Sequence, residues 1–165
     1  MLFPDGSPER VAAVYRGDPV TDRCNAEVAR LVVEQVETRL AAARGSRVRV
    51  LEVGAGTGGT SAAVLAALAP YADTVEYVFT DVSPAFVRKG RARFGAEHPF
   101  ARFEVLDIEA DPVGQGRALG GYDVVLGTNV FHATRRLDDT LAWTKRLLRG
   151  GGVLLLTEGT RPQHH

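Results

Sequence analysis

Five short runs, 47–53, 75–81, 101–107, 122–129 and 153–158, are predominantly apolar and rich in β-branched residues. Helical periodicity lies between most of them. This alternation constrains the fold more than any other feature of the chain. A strand that is apolar on both faces must be covered on both faces. Strands separated by helices need crossover connections, which are right-handed and generate a parallel sheet. An α/β domain is expected, with any ligand at the carboxyl ends of the strands, where the order of the sheet reverses.

The intervening segments fit this scheme. Val28, Leu31, Val32, Val36 and Leu40 recur at helical spacing between about Asp22 and Arg44, and Gly45 is expected to end that helix. Residues 60–69 read as a helix stopped by Pro70. Ser83 and Pro84 open another as N-cap and first helical residue, running to about Phe94. Residues 137–149 form an amphipathic helix that Gly150–Gly152 should terminate. Residues 1–20 are dense in turn formers, with one helical turn expected near Glu9–Tyr15. The 165 residues suit one domain: an N-terminal loop and covering helix over 1–45, a core over 46–158 and a tail over 159–165.

Composition removes several function classes. Twenty basic residues balance twenty acidic ones, without the basic excess that displaces counterions from nucleic acid. No apolar stretch approaches the ~18–20 residues of a membrane span. The opening MLFPDGSPER lacks the basic and apolar regions of a secretory signal, so a cytoplasmic location is expected. The single cysteine, Cys24, excludes an internal disulfide framework and a cysteine-based zinc site, and no metal is expected.

The residues just after the strands carry the chemistry. The first strand runs into Glu52-Val53-Gly54-Ala55-Gly56-Thr57-Gly58-Gly59, a turn that lets backbone approach a ligand closely. Its G-x-G-x-x-G spacing is shared by several nucleotide sites. Asp81 follows the second strand, 22 residues beyond Gly59, and suits a ribose diol. Asp107 follows the third and can accept from an adenine amino group. Asn129 and His132 follow the fourth. A dinucleotide would lay its pyrophosphate on the glycine turn, where the Glu52 carboxylate is unfavourable. S-adenosylmethionine (SAM) has no phosphate but has an ammonium, which Glu52 could meet through water; alternatively, Glu52 orients the turn. Charge therefore favours SAM over a nicotinamide cofactor.

The segments LEVGAGTGGTSAAVL, YVFTDVSPAF, VLDIE, YDVVLGTNVFHATRRLDDTL and LLRGGGVLLLTE, with the opening LFPDGSPERVAAVYRGDPVTD, resemble the methyltransferase domains of modular polyketide synthases and hybrid peptide synthetases. The resemblance covers residues 2–158. It implies a Rossmann-like class I methyltransferase sheet in the order 3-2-1-4-5. The family's sheet has seven strands, so the final two are expected to be missing. It implies that Glu52, Gly54, Gly56, Asp81, Asp107, Ile108 and Asn129 line a SAM pocket. It also implies His132 as catalytic base with Glu158 as its partner.

The chemistry asks for such a base. Methyl transfer from SAM releases a neutral thioether, so the acceptor is what needs activation. An acceptor hydroxyl or α-carbon must lose a proton as it attacks, and histidine suits that at neutral pH. A carboxylate on the other ring nitrogen fixes the tautomer. The expected function is SAM-dependent methyl transfer to an acyl chain on a phosphopantetheinyl carrier protein, at the α-carbon of a β-ketoacyl thioester. The alternatives are O-methylation of a β-hydroxyl and a non-catalytic SAM-binding module. Expected partners are the carrier protein and other synthase domains. Self-association through the fifth strand is also expected, because its apolar edge lacks Lys and Pro.

Overall fold

The computed structural model describes residues 18–159. The expected helical turn near Glu9–Tyr15 and nearly all of the 159–165 tail lie outside the described residues. In chain order the elements are α1 (Pro19–Ala42), β1 (Val48–Val53), α2 (Gly59–Leu68), β2 (Val75–Asp81), α3 (Pro84–Phe94), β3 (Ala101–Val105), β4 (Tyr122–Thr128), α4 (Leu137–Leu147) and β5 (Leu148–Thr157). The five strands form one sheet in the order β3-β2-β1-β4-β5, and every pairing is parallel. The order reverses between β1 and β4.

Side-chain alternation divides the core into two layers. Val48 and Val50 of β1, Tyr77 and Phe79 of β2 and Val124 and Leu126 of β4 meet apolar residues of α1, α2 and α3. Leu51, Val53, Val78 and Val125 face the other way, towards Leu147 of α4 and Phe131. Of the α1 stripe expected from helical spacing, Val28, Val32 and Val36 are buried and Leu31 and Leu40 half-buried, with Ala29 buried beside them. Gly90 of α3 lies so close to the sheet that an added Cβ would stand 2.7 Å from Phe79.

Several boundaries differ from the sequence expectation. Helix α1 begins at Pro19 because the Asp18 side chain accepts the Val20 and Thr21 N–H groups. It ends at Ala42, with Gly45 lying beyond it at φ +81°. Ser83 occupies the N-cap position of α3 but makes no side-chain cap bond; its own N–H donates to Asp81 Oδ1 at 2.8 Å. Strand β3 stops at Val105. The largest departure is at α4. Gly150–Gly152 do not terminate a helix; α4 ends at Leu147 and β5 starts at the next residue. Leu148 pairs with Tyr122 and Val153 with Val124, so residues 149–152 bulge opposite the single Asp123. The buried Asp123 carboxylate accepts the Arg49 N–H at 2.8 Å and lies 3.1 Å from the guanidinium of Arg149 in the bulge, and Arg39 donates to the Gly151 carbonyl.

Candidate active site

Every residue singled out from the sequence lies at the carboxyl end of a strand or in the turn that follows. The glycine turn joins β1 to α2. Gly54 has φ +64°, and a Cβ there would stand 2.4 Å from a methyl of Val130. Gly56 has φ +55° with no such obstruction, and its N–H donates to Asp81 Oδ2 at 2.9 Å. Asp81 therefore pins the turn with one oxygen and the start of α3 with the other. It is 6% exposed, and a carboxylate has lone pairs beyond those two bonds.

Glu52 is buried beneath the turn. Its Oε2 accepts from the Ser61 hydroxyl on α2 and the Tyr77 hydroxyl on β2. Burial pushes its pKa up to about 7, against the two hydroxyl bonds that lower it; the nearby Asp81 charge adds to the rise. Burial, then the Glu52 charge, pushes the Tyr77 hydroxyl well above its ordinary value. The contacts made by Glu52 brace the turn.

Beyond β3, Gln115 clamps the loop: its amide oxygen accepts the Asp107 N–H and its amide nitrogen donates to the Asp107 carbonyl, both at 2.8 Å. Asp107 Oδ1 accepts the Glu109 N–H. Ile108 belongs to the apolar cluster of Leu51, Val53 and Phe131. Among the described residues its N–H has no acceptor. A cavity of 270 Å³ opens beside Asp107, lined also by Glu109, Arg135, Arg136, Asp139 and Thr140.

The ends of β4 and β5 are clasped reciprocally. Asn129 has φ +54°, the left-handed conformation that Asn tolerates better than most residues. Its Oδ1 accepts the Gly159 N–H at 2.8 Å. In return, Glu158 Oε1 accepts the N–H groups of Val130 and Phe131, at 3.3 and 2.9 Å. Glu158 Oε2 meets His132 Nδ1. His132 sits in the 3₁₀ turn Phe131–Ala133, its side chain 54% exposed. With Nδ1 engaged, Nε2 has no partner among the described residues.

Sequence reasoning missed Ser61 and Tyr77 as partners of Glu52, and also a hydroxyl–amide chain on the rim. Thr60 of α2 donates to Asn25 Oδ1 on α1 at 2.9 Å and lies 3.1 Å from the Thr128 hydroxyl at the end of β4. No local pattern announces a contact between residues 35 positions apart.

The parallel sheet with its order reversal, the glycine turn and the acids ending β2 and following β3 define a nucleoside-binding α/β domain, with a paired histidine and glutamate on the same rim. The chain belongs to the methyltransferase domain family, which it matches over residues 51–154. It is 45% identical over 97% of its length to polyketide synthase ThaQ of Burkholderia thailandensis, of which it spans 8%. It resembles the crystal structure of the DszA carbon methyltransferase with a TM-score of 0.89 and 44% identity, over 98% of this chain and 41% of that one. A complex of the trans-methyltransferase CalH with SAH matches at a TM-score of 0.69 and 37% identity, over 88% of this chain and 41% of that one. The chain is thus a SAM-dependent methyltransferase domain of the kind found in polyketide synthases.

The residues present fit this cofactor. Asp107 would offer its remaining lone pairs to the adenine amino group, and the Ile108 N–H, which has no acceptor among the described residues, would donate to a ring nitrogen. The lone pairs left on Asp81 suit the ribose hydroxyls.

Proposed function

We propose that this domain methylates the α-carbon of a β-ketoacyl thioester held by a phosphopantetheinyl carrier protein, within a cytoplasmic polyketide synthase whose other domains supply and remove the chain. In this reading Glu52, Gly54, Gly56, Asp81, Asp107, Ile108 and Asn129 build the SAM site, and His132 and Glu158 do the proton chemistry. The pairing of Glu158 with His132 Nδ1 carries the proposal. SAM supplies an electrophilic methyl group when bound. The chain itself must then generate the nucleophile. His132 Nε2 accepts the α-proton of the β-ketoacyl group, a proton acidified by two carbonyls. Glu158 keeps the Nδ1–H tautomer and stabilises the imidazolium. Its second oxygen is fixed by two backbone N–H groups, so the ring is oriented before substrate arrives. The similarity to a carbon methyltransferase at 44% identity supports the carbon acceptor.

The test uses a 3-oxobutyryl carrier protein and SAM labelled with ¹³C at the methyl. Label on the α-carbon, read by carbon NMR of the released acid, is the expected outcome. Label appearing as a methoxy group would overturn the carbon assignment. Exchange of the α-proton with D₂O without SAM, lost in His132→Ala, tests the base separately.

A further inference from the structure

We infer that Asn25 on α1 is a cofactor-binding residue, whose side-chain amide donates to the carboxylate at the amino-acid end of SAM. The inference rests on the assignment of SAM as cofactor and deepens it.

The order of the strand ends gives the direction of the ligand. Asp107 follows β3 and Asp81 ends β2, so adenine and ribose lie over the β3–β2 side of the rim. The sheet continues through β1 to β4 and β5. The reacting methyl must come near His132, which follows β4. The remaining part of the cofactor, its amino-acid tail, then falls near the junction of β1 and β4. Thr60 and Thr128 stand at that junction, with Asn25 reaching over them from α1.

The hydrogen bonding there is directional. Thr60 has one hydroxyl proton, which it gives to Asn25 Oδ1, so Thr128 must donate to Thr60. The chain runs Thr128 to Thr60 to Asn25 and ends on the amide oxygen. That fixes the amide plane and leaves both Nδ2 protons as donors. Among the described residues they have no acceptor. Nδ2 lies 3.9 Å from the position a Cβ of Gly59 would take, over the first turn of α2. Two fixed donors at this place suit a carboxylate.

The alternative is that Asn25 only latches α1 to α2. Asn25→Asp separates the two roles. Aspartate keeps an oxygen to accept from Thr60, so the latch survives, but it presents negative charge to the tail. Isothermal titration of wild type, Asn25→Ala and Asn25→Asp with S-adenosylhomocysteine and with 5′-methylthioadenosine is the experiment. The second ligand has the same nucleoside and sulfur but no amino-acid tail. The expected result is about 10-fold weaker S-adenosylhomocysteine binding for Asn25→Ala and a larger loss for Asn25→Asp, as for a charge-assisted hydrogen bond. Methylthioadenosine affinity should stay within about twofold in all three, which also shows that the variants are folded. Wild-type affinity for S-adenosylhomocysteine in Asn25→Asp overturns the inference, as do equal losses for both ligands. A wild-type domain that binds neither ligand overturns the SAM assignment and the inference with it.

Discussion

At the scale of single residues, the acids proposed to bind the cofactor already hold backbone. Asp81 accepts the Gly56 and Ser83 N–H groups, so it shapes the turn that it also serves. Asp81→Ala should weaken SAM binding by about 10- to 100-fold, the value of a charge-assisted bond to the ribose, and should lower stability by leaving two N–H groups without acceptors. Titration calorimetry and urea unfolding measure the two losses. Unchanged SAM affinity would remove Asp81 from the site. His132 is different: it is exposed and contributes little to the fold. His132→Ala should retain S-adenosylhomocysteine affinity and lose about 10²- to 10⁴-fold in turnover on a carrier-bound acceptor. Glu158→Gln should lose less, because an amide still orients the ring. Full turnover in His132→Ala would place the base elsewhere. The positions of these residues were readable in the sequence because each strand end is a fixed address in a parallel sheet. Asn25 was not, because nothing in α1 marks which of its polar residues reaches across to α2.

At the scale of elements, Glu52 ties β1, β2 and α2 through one carboxyl oxygen. Its folded pKa is raised to about 7 from an ordinary 4.5. The folded state therefore binds this proton more tightly than the unfolded state does. The stabilisation is complete below about pH 4.5 and is lost as pH rises towards 7, amounting to about 3 kcal/mol at most. Glu52→Gln cannot ionise, so it should gain stability relative to wild type across that window. Urea midpoints at pH 4.5, 6 and 7.5 check this; parallel curves for the two proteins would show that Glu52 does not titrate there. The central strands β1, β2 and β4 were legible because burial on both faces writes a nearly continuous apolar run. The start of β5 was not. Three consecutive glycines read as a stop, yet the strand continues through a bulge whose Arg149 meets the buried Asp123 carboxylate and whose Gly151 carbonyl accepts from Arg39.

At the scale of the whole molecule, the sheet is unequally protected. β5 pairs with β4 from Val153 to Thr157, and among the described residues nothing pairs with its other edge. Leu156 is 41% exposed, and Leu154 and Leu155 are only half-buried. Such an edge recruits strands from other chains. The isolated domain should associate as concentration rises, and Leu156→Lys should suppress this. Sedimentation velocity from low to high micromolar concentration follows it. A wild-type monomer throughout, with slow hydrogen exchange along Val153–Leu156, would mean that the edge is already covered.

The direct passage from α4 into β5 bears on how such a domain can be rearranged. Leu147 is the last helical residue and Leu148 the first of the strand. An insertion at this junction has slack only on the strand side, where residues 149–152 already bulge opposite Asp123; whatever that bulge does not absorb shifts the register of β5. Shifting β5 by one position would turn Leu155 to the opposite face and carry Glu158 away from the Phe131 turn. The loop from Leu106 to Gly121 is the opposite case: long, turned at Gly116 with φ +79°, and open around that glycine. In shuffling pieces of related domains, the seam between α4 and β5 is one to keep whole, and the loop before β4 is where a crossover point belongs.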